Sequence, residues 1–217
     1  CTGETWFTVA PTILYYLTGE LPPGVTGKDI FLYIAGKYGD TTGMNVEFGG
    51  PGVANLTIPQ RQSISTMCAE INAEFAMFPC DERLVSFLKQ RGDTDITSVE
   101  PDDDAEYFDV REINLSELTP YVAKPDFIPD NCVPVSELEG IPINQVVVGS
   151  CSNGRIEDLA VVADLLKGKH IAEHVRFIVT PASQRIYLQA VKNGIVETLV
   201  EAGCVVTNAT CGCCYGG

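Results

Sequence analysis

The sequence predicts an α/β protein built on parallel-rich sheets with crossover helices, on two observations. Strand-sized apolar runs alternate with stretches of helical periodicity along most of the chain, with loops rich in Gly and Pro between them. The composition suits a packed fold: 45% of the 217 residues are hydrophobic and 20% charged, too apolar a mixture for a disordered chain.

Residues 5–17 alternate β-branched and aromatic side chains around Pro11, as two short strands would, before Gly19-Glu20-Leu21-Pro22-Pro23-Gly24 breaks the pattern. Thr26 then caps a helix with Asp29 in its first turn; Ile30, Ile34 and Tyr38 form its buried stripe and Gly39 stops it. Residues 45–48 read as a strand, ended by Gly49-Gly50-Pro51-Gly52. Thr57 offers a capping hydroxyl ahead of Pro59, and Ile64, Met67, Cys68 and Ile71 keep helical spacing as far as Glu74. Asp81 opens another helix, through Leu84, Phe87 and Leu88 to Gly92.

Residues 93–143 change character. Glu100-Pro101-Asp102-Asp103-Asp104 is a charge run, prolines recur from Pro120 to Pro142, and no helical stripe persists. This stretch is expected to be a solvated acidic connector between a first α/β region, 1–92, and a second, 144–217. In the second region, 145–148, 175–180 and 204–207 read as strands, and 157–166, 181–192 and 195–202 as helices. That order means a parallel sheet with crossover helices.

The 14 basic and 29 acidic side chains leave a net charge of -15, which repels nucleic-acid phosphates and anionic membranes. Runs such as 144–148 and 175–179 fall far short of the roughly 20 apolar residues that span a bilayer, so no transmembrane helix is expected. The start, Cys1-Thr2-Gly3-Glu4, lacks an initiator Met and the marks of a signal peptide, and reads as internal to a longer chain. Nine Cys, three of them crowded at Cys211, Cys213 and Cys214, suit metal ligation in a reducing, cytoplasmic setting better than a disulfide framework.

Gly149-Ser150-Cys151-Ser152-Asn153-Gly154 joins the first strand of the second region to its helix. In a parallel sheet this places Cys151 in the crevice at the carboxyl ends of the strands, where ligands bind. The turn after the last strand, with Cys211, Cys213 and Cys214, falls on the same edge. Cys211 and Cys214, at C-x-x-C spacing, can bind one metal centre with Cys151 as the third sulfur. Three thiolates on an iron-sulfur cluster leave one iron free to act as a Lewis acid on a substrate hydroxyl. Spacing alone equally admits zinc or a redox dithiol, and Cys213 permits another pairing. Cys1, Cys68, Cys80, Cys132 and Cys204 read as small core residues or free thiols, His170 and His174 as surface residues, and Ser183 and Gln184 as helix-capping residues. Glu70, beside Met67, Cys68 and Ala69, needs a partner: a salt bridge at the helix surface or a site.

Together these motifs resemble the aconitase superfamily. Gly149-Ser150-Cys151-Ser152-Asn153-Gly154-Arg155-Ile156-Glu157-Asp158-Leu159 is similar to its Gly-Ser-Cys-Thr-Asn-Gly-Arg-Ile-Glu-Asp-Leu segment, in the form found in isopropylmalate dehydratase large subunits. Thr180-Pro181-Ala182-Ser183-Gln184 and Cys211-Gly212-Cys213-Cys214-Tyr215-Gly216 resemble its Thr/Val-Pro-Gly-Ser and Cys-Gly-Pro-Cys-Ile-Gly segments, with Cys213 where Pro is usual. Val46-Glu47-Phe48-Gly49-Gly50-Pro51-Gly52-Val53 and Thr66-Met67-Cys68-Ala69-Glu70 resemble segments of its first half, with Thr66 in place of Asn. The resemblance implies a three-layer α/β/α fold. It also implies a [4Fe-4S] cluster on Cys151, Cys211 and Cys214, with Glu70 facing substrate and cluster. The implied reaction is dehydration and rehydration of a small hydroxy di- or tricarboxylic acid, as in leucine biosynthesis. The family's Asp-Ser-His segment and later Arg residues are not seen here, and its catalytic Ser sits on a swivelling domain or a separate small subunit. A large-subunit fragment inactive alone is therefore expected. The alternatives are a thiol-disulfide or zinc-binding protein using Cys211 and Cys214, or a non-catalytic aconitase-like binding module.

Overall fold

In the computed structural model, which describes residues 2–212, the chain divides into two compact units, Cys1–Glu137 and Leu138–Gly217. The first unit begins its sheet with β1 (Thr12–Thr18), crosses over through α1 (Gly27–Tyr38) to β2 (Asn45–Gly49), and continues through a 3-10 turn at Pro51–Asn55 into α2 (Ile58–Met67). A second 3-10 turn, Cys68–Ile71, leads to the short β3 (Ala76–Met77), followed by α3 (Glu82–Lys89) and β4 (Asp109–Asn114). All pairings are parallel, in the order β3-β2-β1-β4. Ile13, Tyr15, Leu17, Val46 and Phe48 point to one face and pack with Ile30, Phe31 and Ile34 of α1 and Ile64 of α2 into one buried core. The opposite face carries Leu14, Tyr16, Glu47, Met77, Val110 and Glu112. An antiparallel pair, β5 (Tyr121–Ala123) with β6 (Cys132–Pro134), lies against α1.

Local chemistry sets the helix ends. Asp29, only 8% exposed, accepts from the Thr26 backbone N–H (2.7 Å) and hydroxyl (2.9 Å) and from the Tyr121 N–H (2.9 Å), so one carboxylate starts α1 and ties the β5–β6 pair to it. Thr57 and Gln60 form a capping box on α2. Arg61, buried in α2, donates to the Val53 carbonyl (2.9 Å) and to both oxygens of Asp81 (2.9 and 2.6 Å), while Asp81 caps α3 through the Leu84 N–H (3.0 Å).

Three stretches differ from the sequence-based reading. Residues 5–11 form no strand; Trp6, Phe7 and Val9 are exposed, and strand structure needs a neighbour that these residues do not find among those described. The α2 helix stops at Met67, and the chain leaves through the 3-10 turn and a left-handed Asn72 (φ 60°). Residues 93–108 run mostly exposed and without regular structure, but β4, β5 and β6 of the first unit also fall within 93–143. The β4 strand is disguised because its inward positions are Asp109, Arg111 and Ile113: the Arg111 guanidinium is held by Asp109 (2.7 Å) and the Tyr15 hydroxyl (2.9 Å), so charges stand where apolar residues are expected.

In the second unit, β7 (Gln145–Gly149) leads through the one-turn α4 (Ser150–Asn153) into α5 (Ile156–Leu166), β8 (Arg176–Thr180), α6 (Gln184–Lys192), α7 (Ile195–Glu201) and β9 (Val205–Val206). The sheet is parallel in the order β7-β8-β9. Leu159, Ala163, Val179, Ala190, Ile195 and Leu199 form its buried core. The alternation of strands and crossover helices in both units is the α/β class expected.

Candidate functional site

The three strands of the second unit end on one rung. Gly149 pairs with Thr180, Val179 with Val206, and the Thr207 N–H donates to the Val179 carbonyl (2.9 Å). Cys151 lies just beyond Gly149 and Cys211 just beyond Thr207, so both sit on turns at the carboxyl edge. Adjacent strands are ~4.8 Å apart, which separates the roots of the two turns by on the order of 10 Å across β8.

Close packing shapes the Cys151 turn. Gly149 has φ 142°, and a β-carbon there would press on the Thr180 carbonyl oxygen and come within 2.7 and 2.8 Å of the Thr180 carbonyl carbon and amide nitrogen. At Gly154 a β-carbon would lie 2.6 Å from the carbonyl oxygens of Ser150 and Thr180 and 2.7 Å from the Ala182 nitrogen. Between these glycines Ser150, 7% exposed, adopts φ 61°, a left-handed conformation that costs a non-glycine residue about 1–3 kcal/mol and persists only where the surroundings over-determine it. The Ala182 N–H donates to the Gly154 carbonyl (2.8 Å), and the Arg155 Nη1 to the Ser152 carbonyl (2.9 Å). The Asp158 carboxylate accepts from the Arg155 backbone N–H (3.0 Å) and starts α5; burial holds this carboxyl above the usual range and the Arg155 guanidinium below its own. The buried Asn153 Oδ1 has no hydrogen-bond partner among the described residues.

The thiols divide by environment. Cys151 and Cys211 are exposed. Burial pushes the Cys68 thiol up to about 12 and raises those of Cys132 and Cys204, so these three stay protonated near neutral pH and are poor ligands. Soft, accessible sulfurs on two turns of one sheet edge fit an iron-sulfur centre, which takes thiolates. Cys213 and Cys214, the latter the third expected ligand, lie outside the described residues, as does Cys1. Among the described residues, no three His, Cys, Asp or Glu side chains converge as a metal-binding group.

Glu70 belongs to the first unit, in the 3-10 turn after α2 rather than mid-helix, and is exposed, as is Thr66. His170 and His174 are exposed, and Ser183 caps α6 through the Ile186 N–H (3.2 Å). On the open sheet face of the first unit, Tyr16, Glu47, Met77, Val99, Glu100 and Tyr107 line part of a cleft of 490 Å³, where the Tyr107 hydroxyl donates to Glu47 (2.9 Å). Sequence reasoning missed the left-handed Ser150, the Asp158 cap and a hydroxyl pair between Thr180 and Thr207. Only the cap had a signal, the three-residue spacing of Arg155 and Asp158 ahead of an apolar run.

All 217 residues match the profile of the aconitase family (aconitate hydratase). Proteins named 3-isopropylmalate dehydratase large subunit match along the whole chain: that of Mycolicibacterium smegmatis is 48% identical and that of Lachnoclostridium phytofermentans 45%, the chain covering 51% and 52% of them. One from Methanopyrus kandleri, named large subunit 1, is 44% identical. The chain thus spans about half the length of these relatives. Aconitase X of Thermococcus kodakaraensis, in its holo form, shares the fold over 93% of this chain and 44% of its own, with a TM-score of 0.52 at 10% identity. Among the described residues, no helix is long and apolar enough to cross a membrane.

Proposed function

Because the chain belongs to the aconitase family, in which iron-sulfur clusters are a general property, we propose that it is part of the large subunit of a hydro-lyase acting on a small hydroxy di- or tricarboxylic acid of the isopropylmalate type. The observation that carries this reading is the placement of Cys151 and Cys211 on turns of one carboxyl edge, both exposed, while the thiols elsewhere in the two cores are buried. The names of the relatives support the substrate class.

Cys151, Cys211 and Cys214 hold a [4Fe-4S] cluster in this proposal. The cluster, when bound, supplies a Lewis-acidic iron that polarises the leaving hydroxyl of the substrate. The chain's own part is to present the sulfurs: the Gly149–Gly154 turn, locked against Thr180, fixes Cys151, and the turn after β9 brings Cys211. Glu70 is the carboxylate assigned to the substrate in this proposal, a candidate for hydrogen bonding or proton exchange there. A small subunit or swivelling domain supplies the catalytic Ser, so the chain alone is inactive. Nine Cys, with six described as free, suit a reducing compartment such as the cytoplasm.

The test is anaerobic reconstitution with iron and sulfide, with iron and sulfide quantitation and electron paramagnetic resonance, on this chain and on its Cys151→Ala, Cys211→Ala, Cys214→Ala variant. A cluster in the parent that is absent from the variant is the expected result. A parent that takes up no iron and forms a reversible Cys211–Cys214 disulfide instead would turn the reading towards a redox dithiol.

A further inference from the structure

At the centre of the rung that ends the second sheet, the side chains of Thr180 and Thr207 meet, with their hydroxyl oxygens 2.8 Å apart. Thr180 is 3% exposed. The Thr207 hydroxyl also lies 3.2 Å from the Asn208 carbonyl and donates to it. A hydroxyl has one hydrogen, so in this arrangement Thr207 accepts from Thr180, and a chain of bonds runs from Thr180 through Thr207 to the backbone that leads into Cys211. The other side of Thr180 holds the Cys151 turn. Its carbonyl oxygen stands against the β-carbon position of Gly149 and, together with the Ser150 carbonyl oxygen and the Ala182 nitrogen, against that of Gly154, and two residues on, Ala182 donates to the Gly154 carbonyl at 2.8 Å. A single buried residue therefore touches both thiol-bearing turns. The β8–β9 ladder does not by itself fix the outer turn, because β9 is two residues long and its last backbone bond is that of the Thr207 N–H to Val179.

We propose that the Thr180–Thr207 hydroxyl pair is a positioning clamp that sets the spacing between the turn bearing Cys151 and the turn bearing Cys211. Its relevance to function rests on the reading that these two thiols share one iron-sulfur centre. The geometry of the clamp itself does not. Neither threonine touches substrate or iron in this role; each acts through the cysteine beyond it. A cluster imposes a fixed sulfur spacing, and two turns anchored to one buried hydroxyl pair meet that demand before the metal arrives.

The experiment has two arms, each comparing the parent with Thr180→Val, which keeps the shape and removes the hydroxyl, and Thr180→Ser, which restores it. Thr207→Val breaks the same bond from its less buried side and serves if Thr180→Val fails to fold. In the first arm, on metal-free chain in a Cys213→Ser, Cys214→Ser background, a short bis-maleimide links Cys151 to Cys211 and the product is counted by peptide mass spectrometry. Loss of one hydrogen bond should slow this link about fivefold in either valine variant, with the serine variant like the parent and the double valine variant no worse than a single one. In the second arm, on the chain with all its cysteines after iron and sulfide reconstitution, the valine variants should lose cluster iron faster and show an altered paramagnetic signal, and serine should restore both. Linking in the valine variants at the parent rate or faster, or a serine variant as impaired as valine, overturns the clamp. A parent that assembles no cluster but whose linking responds as described would sink the iron-sulfur reading and leave the clamp standing.

Discussion

Replacing Gly149 by Ala tests whether the Cys151 turn is held by contact with β8. Two costs are legible in the structure. The backbone at Gly149 has φ 142°, a region that is nearly closed to residues with a β-carbon and costs about 1–3 kcal/mol. The new methyl would also press on the Thr180 carbonyl, with the carbonyl carbon at 2.7 Å and the amide nitrogen at 2.8 Å, where real β-carbons essentially never come below 3.0 Å. The obstacle is backbone within a strand ladder, which cannot swing aside as a side chain does, so overpacking adds about 1–3 kcal/mol. The sum is roughly 2–6 kcal/mol. Gly168→Ala is the control: φ is 70°, nothing lies within 4 Å of the new methyl, and only the left-handed cost of about 1–2 kcal/mol applies. The lone tryptophan, Trp6, belongs to the first unit, so the assay is hydrogen exchange of β7 and β8 peptides across a urea series rather than fluorescence. If Gly149→Ala and Gly168→Ala lower the protection of these peptides equally, the packing argument for the turn fails.

Four further outcomes are expected. Asp81→Ala leaves the buried Arg61 without its partner and removes the cap of α3, for a combined loss of about 3–4 kcal/mol in urea melts of the first unit; Asp81→Asn, which keeps a capping oxygen, should recover about 1 kcal/mol of it. Arg61 holds the Asp81 carboxyl below the usual carboxylate range, so this stabilisation is complete above the unfolded value near ~4 and lost as the pH falls through the lower folded value; a urea midpoint equally acid-sensitive in Asp81→Asn would contradict it. Asp29→Ala strips the acceptor from the Thr26 and Tyr121 backbone N–H groups and should cost about 2–4 kcal/mol, with exchange rising in both α1 and the β5–β6 pair; a rise confined to α1 would mean that the carboxylate does not join them. On the proposed function, in a full-length protein assembled with a small subunit, Glu70→Gln should lower kcat at least ~100-fold with iron content unchanged, and full activity in that variant would remove Glu70 from the site.

Much of the fold was readable because local and global signals agree. The cap at Thr26 and Asp29, the stripe of Ile30 and Ile34 and the stop at Gly39 all mark α1, and the alternation from Gln145 to Val206 specifies the second sheet. The β4 strand escaped because its pattern is set by a tertiary partner: Arg111 faces inward only because Tyr15 and Asp109 receive its guanidinium. The end of α2 at Met67 escaped because Ile71 keeps helical spacing through a 3-10 turn and is buried either way. At the candidate site, the edge placement of Cys151 and Cys211 follows from strand order and so is visible in the sequence. The contact of Thr180 with Thr207 joins residues far apart in the chain through their side chains, and no periodicity encodes it.

The open face of the first sheet bears on how the protein behaves at high concentration. Tyr16, Val110 and Met77 expose apolar surface there, yet Glu47 and Glu112 stand among them, and the register places Glu112 opposite Tyr16 and Glu47 opposite Leu14. Two copies stacking these faces would bring four carboxylates into one dry seam, at a desolvation and repulsion cost that outweighs the small apolar gain. The interleaved charge thus disfavours self-recognition through this face. It weakens where the carboxylates are protonated, so acidic buffer should bring on clouding before either core unfolds.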